Sequence, residues 1–169
     1  MKASPLRFVD LKFLRVRVEA DFSSGPVEAK GFDFDGAMLS WSLDHGFEED
    51  AKRWWVAVGF ATGEAEGHPR CPYAIDVQAV GFFEVSETVP EEKIETLVFE
   101  NGAALVFGSI RDIVSTITGR SLPGPLMLPT PTFVGALKKH TARHADHQGE
   151  RPRETEPSHT PADSNGGDE

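Results

Sequence analysis

The sequence predicts an α+β domain, a four-stranded antiparallel sheet followed by two helices. Three observations carry the prediction. Four consecutive segments alternate apolar and polar residues with period two, with no helical pattern between them, as neighbouring antiparallel strands do. A later segment spaces its apolar residues as one face of a helix. From Gly149 to the end there is no aromatic residue and no Val, Ile, Leu or Met, so that part lacks the apolar area needed to offset the entropy of ordering it.

In the first strand Leu14, Val16, Val18, Ala20 and Phe22 alternate with Arg15, Arg17, Glu19 and Asp21. Leu11 and Phe13 have the opposite parity, so a bulge or bend is expected near Phe13-Leu14. Ser23-Ser24-Gly25-Pro26 breaks the chain. Leu39, Trp41 and Leu43 form the second strand against Ser40, Ser42 and Asp44. Phe32 and Phe34 precede it, and their alternation places Asp33 and Asp35 on a wet strand face rather than in an acid/base pair. The third strand, Lys52 to Thr62, puts Trp54, Val56, Val58 and Phe60 on one side, and adjacent Trp54 and Trp55 on opposite faces. Gly63, Gly67, Pro69 and Pro72 suit a long hairpin connection. Tyr73, Ile75, Val77 and Ala79 mark the fourth strand, which runs to about Val85.

The chemistry then changes. Glu84 to Glu100 is a glutamate-rich crossover with a short helical piece from Pro90 to Leu97. Val106, Ile110, Ile113, Val114 and Ile117 share one face of a helix from Ala103 to Thr118, closed by Gly119. Its β-branched residues lower its intrinsic helicity, so packing on the sheet or on another subunit must stabilise it. Prolines 123, 125, 129 and 131 force Leu122 to Pro131 to be extended. Thr132 can cap a last helix from Phe133 to about His140. The domain is therefore placed at residues 1–148, with a disordered polar tail at 149–169.

The chain has 169 residues and a mass of 18.5 kDa, which fits one domain with an appendage. Against 27 Asp+Glu stand 17 Lys+Arg, a net charge of −10. That surplus is the wrong sign for neutralising phosphates, so no nucleic-acid partner is expected. The longest mostly apolar run, Trp54 to Ala61, is eight residues, against the ~20 a membrane helix requires, so no membrane insertion is expected. The N-terminus lacks the apolar stretch of a signal peptide. With one cysteine, Cys71, no intramolecular disulfide forms, and a cytoplasmic location is expected.

No G-x-S-x-G, H-E-x-x-H or Walker loop occurs, so no catalytic residues, no cofactor and no metal are assigned and the chain is not read as an enzyme. Cys71 has only His68 near it in sequence, a weak setting for a catalytic thiol. His140, His144 and His147 have the spacing of zinc or nickel ligands, but their polar surroundings read as a solvated tail. The glutamates between 84 and 100 lack the pattern of a calcium loop. What stands out is the surplus of large apolar side chains: Trp41, Trp54, Trp55, Phe82, Phe83, Phe99, Phe107 and Phe133. They read as core and subunit interface, or as a groove for extended polypeptide.

Four stretches, Gly81-Phe82-Phe83, Leu105 to Asp112, Thr118-Gly119-Arg120 and Leu122 to Phe133, together resemble the SecB protein-export chaperone family over about residues 73 to 137. The resemblance implies a SecB-like fold with the strand and helix order read above. It also implies a homotetramer, a dimer of dimers, that holds unfolded preproteins in apolar surface grooves without ATP and delivers them to the SecA motor. The peptide-groove positions it implies are Phe82, Phe83, Phe99, Leu105, Leu126, Leu128 and Phe133. On the SecA-type docking face it places Asp76, with Glu19 and Asp21 as substitutes by character. Gly108 and Ser109 stand where the family has proline and tyrosine, which is expected to alter the helix start. Diverged relatives act as chaperones of antitoxins in toxin–antitoxin systems. The functional expectation is an ATP-independent holdase for Sec-dependent export. The alternatives are a chaperone dedicated to one antitoxin, or a small-molecule-binding sheet protein using Trp41 or Trp54.

Overall fold

A computed structural model describes residues 4–22 and 28–137. The break at Ser23 to Pro26, the triplet His140, His144 and His147, and the tail 149–169 lie outside the described residues. Four strands, β1 (Leu6–Ala20), β2 (Leu39–Glu48), β3 (Arg53–Thr62) and β4 (Tyr73–Val85), precede one long helix, α1 (Glu91–Thr118). The sheet is antiparallel throughout, in the order β1-β4-β3-β2. β2, β3 and β4 form successive hairpins, and β1 lies along the far edge of β4.

The register of β1 against β4 shifts twice, between Phe8 and Asp10 and between Phe13 and Arg15. Each shift inserts one extra residue, Val9 and Leu14, and reverses the parity of the strand beyond it. The second is the bulge expected from the sequence. The first brings Phe8 to the face that Leu11 and Phe13 occupy. All three therefore share the helix side with Val16 and Val18, opposite Phe83, Gly81, Ala79, Val77 and Ile75.

Three expectations need correction. Two helices are expected after the sheet, whereas the described residues contain one. The piece placed at Pro90 to Leu97 and the helix placed at Ala103 to Thr118 are a single 28-residue element. No proline interrupts it, and Val98, Phe99, Gly102 and Ala103 are buried against the sheet, which outweighs the poor propensity of Asn101-Gly102. The helix consequently starts at Glu91, far upstream of Gly108-Ser109. The last helix, expected from Phe133, does not begin there. A turn at Val134-Gly135 intervenes, with Gly135 at φ 73°, and only Ala136 and Leu137 are helical among the described residues. Finally, Phe32 and Phe34 lie outside any strand. They pack edge to face at 5.0 Å in a turn, where the Asp35 N–H donates to Asp33 Oδ1 at 3.0 Å, and both carboxylates are exposed.

The core lies between α1 and the sheet. Val56, Val58 and Phe60 of β3 and Ile75, Val77, Ala79 and Phe83 of β4 meet Val98, Ala103, Val106, Ile110 and Val114 of α1. Each Val, Ile or Phe side chain among them contributes on the order of 1.5–3 kcal/mol when removed from water. Two glycines set how closely the layers approach. A Cβ on Gly81 would fall 2.5 Å from Val106 Cγ2, and one on Gly102 would fall 2.9 Å from Val56 Cγ2. Trp54 and Trp55 point to opposite faces as expected: Trp54 packs on Phe47 at 5.3 Å, while the ring of Trp55 covers Gly46 on the outer face.

Candidate polypeptide-binding surfaces

α1 covers the middle of the sheet and leaves apolar residues uncovered along its flank. On the β1 side, Phe8, Leu11 and Phe13 form one wall of an open groove, and Leu105, Gly108, Ser109, Asp112 and Ile113 of α1 form the other. Phe13 is 38% exposed and Leu105 45%. Phe8, which stacks on buried Phe83 at 5.1 Å, is also exposed, as are the nearby Val9, Leu14 and Val16. Monomeric proteins rarely leave so continuous a strip of large apolar side chains on an edge strand, because its free backbone groups invite another chain to pair.

The β2 side is built differently. Trp41 packs on Phe60 at 4.8 Å and Phe107 at 4.9 Å, and Phe107 meets Phe133 at 6.2 Å. Here the chain beyond α1 returns along the helix and covers this flank. Its anchor is a polar cluster around Thr118, which is fully buried. The Thr118 Oγ1–H donates to the Val114 carbonyl at 2.8 Å, and the same oxygen accepts the Leu126 N–H at 3.0 Å. Tyr73 Oη donates to the Gly124 carbonyl at 2.6 Å, and burial pushes its phenol above the ordinary value.

The residues implied for the peptide groove do not come together as one surface. Phe83 and Phe99 are 0% exposed, and Leu126, Leu128 and Phe133 are buried as well. Phe82 faces the other side of the sheet, half-buried beneath the Arg53 guanidinium at 4.1 Å. Leu105 is the one member standing open on the helix flank. The structure adds Phe8, Leu11, Phe13 and Ile113, which sequence reasoning did not single out. Their signal was the pair Leu11 and Phe13 on the wrong parity, which marked a bulge but not its consequence, a run of apolar residues gathered on one face.

The outer face of the sheet carries Asp76 and Glu19, and Asp21 follows the end of β1; each of these expected docking carboxylates is joined to an arginine. Asp76 accepts from Arg15 at 2.6 Å, Glu19 accepts from Arg17 at 2.8 Å, and Asp21 pairs with Arg70. The hydrogen bond from Arg17 holds the Glu19 carboxyl below its ordinary value. The exposed pairs of Asp76 and Glu19 add little stability, yet all three pairs spend the charge a docking face would offer. Cys71 is buried, and desolvation pushes its thiol up, the opposite of a reactive thiolate.

No protein-family model matches the chain. It is 26% identical over 90 residues to an uncharacterized protein of Methanocaldococcus jannaschii, a match covering 53% of this chain and 57% of that one. The chain thus spans little more than half the length of that relative. Among solved structures, the Mycobacterium tuberculosis SecB-like chaperone Rv1957, in complex with a peptide from the HigA1 antitoxin, superposes with a TM-score of 0.53. That match has 16% identity and covers 76% of this chain and 91% of the other. A protein of unknown function from Streptococcus agalactiae gives a TM-score of 0.47 at 14% identity, over 76% and 99% of the two chains. The fold is a distant SecB-like one.

Proposed function

We propose that the chain is an ATP-independent chaperone that holds extended polypeptide against the apolar strip between β1 and α1. The observation that carries this reading is the uncovered run of Phe8, Phe13 and Leu105 on a SecB-like scaffold. Binding of this kind needs apolar subsites that accept many sequences and no bond-making chemistry. Because an edge strand and an apolar helix flank are left open in one protomer, copies of the chain associate through part of the same surface, as a homotetramer. The working site of the protein is the cytoplasm.

Two uses of such a holdase differ in their partner. Delivery of preproteins to SecA calls for a free acidic docking face, and Asp76, Glu19 and Asp21 are each tied to an arginine. The pairing favours the second use, a chaperone for a particular client of the antitoxin type, which is the kind of peptide bound by the M. tuberculosis structural neighbour. The test has two arms. Purified protein is added to chemically unfolded lactalbumin, and to SecA. The reading expects delayed aggregation near stoichiometric ratio and no saturable SecA binding. Aggregation undelayed at excess chaperone contradicts the holdase, and tight SecA binding returns the export role.

A further inference from the structure

We infer that a second copy of this chain adds to the free edge of β1 along Arg15 to Asp21, antiparallel and in one register, with Val18 facing Val18. From the proposed function this takes only that copies associate. It assigns the joint, and it leaves the groove at Phe8, Leu11 and Phe13 to the client.

The backbone decides which residues face the edge. β1 lies at one side of the sheet and pairs only with β4 among the described strands. Just beyond it, the Asp21 N–H donates to the Pro72 carbonyl at 2.9 Å. Bonded and unbonded pairs alternate along an antiparallel ladder. Counting back through the register, Glu19, Arg17 and Arg15 turn their N–H and C=O groups to β4. Val16, Val18 and Ala20 therefore turn theirs outward. An edge of this kind takes up another strand.

The N-terminal half of the same edge is guarded. Val9 and Leu14 interrupt it as bulges. The Leu11 N–H already donates to Asp10 Oδ1 at 2.8 Å, and the Leu6 N–H to Ser4 Oγ at 3.2 Å. No shift of register interrupts Arg15 to Ala20, and with Asp21 this run has the length of an ordinary strand.

Charge names the occupant. The outer side of the run reads Arg15, Arg17, Glu19, Asp21, cations first and anions after. Turned end for end, the run complements itself: Arg17 faces Glu19 and Arg15 faces Asp21 on both sides of Val18. Sliding the copy two residues either way sets Arg17 against Arg17 or Glu19 against Glu19, and opposed like charges are disfavoured. A slip of one residue puts the valines on the charged face. On the helix side Val16, which is exposed, meets Ala20, and Val18 meets its own copy, so the joint also covers apolar surface. Arg17 and Arg15 have partners within the chain, Glu19 at 2.8 Å and Asp76 at 2.6 Å. The charges accordingly choose the register, while backbone bonds and valines hold it. Such a contact is isologous and closes a two-fold pair.

The experiment uses two full-length variants, Arg17→Glu and Glu19→Arg. Both side chains are 59% exposed, and circular dichroism checks each fold. Either variant alone sets like charges across the joint; mixed one to one, the two chains face each other with opposite charges. Sedimentation should give a dissociation constant at least about tenfold higher for either variant alone, and the unmodified value for the mixture. A second readout is a short thiol crosslinker, with Cys71 buried. It should join Val18→Cys chains and not Arg15→Cys chains, whose substituted positions lie about 20 Å apart in this register. Variants that associate as tightly as the unmodified chain, a mixture no tighter than its components, or crosslinking no faster at position 18 than at 15 each overturn the joint and leave association standing. A monomeric unmodified chain overturns both. Carboxymethylated lactalbumin titrated into the unmodified chain tests the chaperone reading separately: absence of binding there overturns that reading and not the joint.

Discussion

At Gly81 the place of a Cβ is taken by Val106, and at Gly102 it is taken by Val56 and Phe83. Substituting alanine at Gly81 should therefore destabilise the fold by about 1–3 kcal/mol through overpacking, read as a lower urea midpoint at unchanged m-value. Unchanged stability would mean that α1 does not sit as close to β4 as described. Cys71 makes a second prediction at this scale. Its thiol is held above the ordinary 9.0 by burial, so the folded chain keeps that proton longer than the unfolded one. Stability is then flat below the ordinary thiol range and falls as pH rises past about 9, where the unfolded chain ionises first. Native protein at about pH 8 should resist alkylation, becoming reactive only on unfolding. Rapid alkylation of folded protein would contradict the burial.

The elements were legible in the sequence to different degrees, for physical reasons. β4 was bounded at Tyr73 and Val85 because strict alternation continues along a strand in the middle of a sheet. β1 showed one of its two bulges, since only the parity change at Phe13-Leu14 separates apolar residues of opposite phase; at Val9 the neighbours are mixed. α1 was read as two pieces because Asn101-Gly102 is a poor helical pair in isolation and only tertiary contact at Gly102 restores it. The site suffered more than the fold. Leu126, Leu128 and Phe133 are apolar whether they line a groove or fill it, and alternation along an extended segment does not say which side holds the protein. The two flanks of α1 should also differ in dynamics. Backbone amides of Met127, Leu128 and Phe133 should exchange with solvent orders of magnitude faster than those of Val106 to Ile110, since the latter are bonded within a 28-residue helix and the segment 125–134 belongs to no helix or strand. Equal protection would mean that the segment 125–134 is as fixed as the helix.

Across the whole molecule, one apolar flank is closed by the chain itself and the other is left open at a sheet edge. On the chaperone reading, the chain's excess of acidic residues steers basic or net-positive clients toward it. Association of protomers through the open edge should give a light-scattering mass near four times the 18.5 kDa chain; a monomer at micromolar concentration would exclude the tetramer. The central claim is that a client rests on Phe13 and Leu105. It is tested most directly by titrating fluorescent, carboxymethylated lactalbumin into the unmodified chain and into the double variant Phe13→Ser, Leu105→Ser. Both side chains are already partly exposed, so the variant should keep its circular dichroism and melting temperature. The account predicts saturable binding by the unmodified chain and affinity at least about tenfold lower in the variant, a loss of ~1.4 kcal/mol. Equal affinity in the two proteins would contradict it.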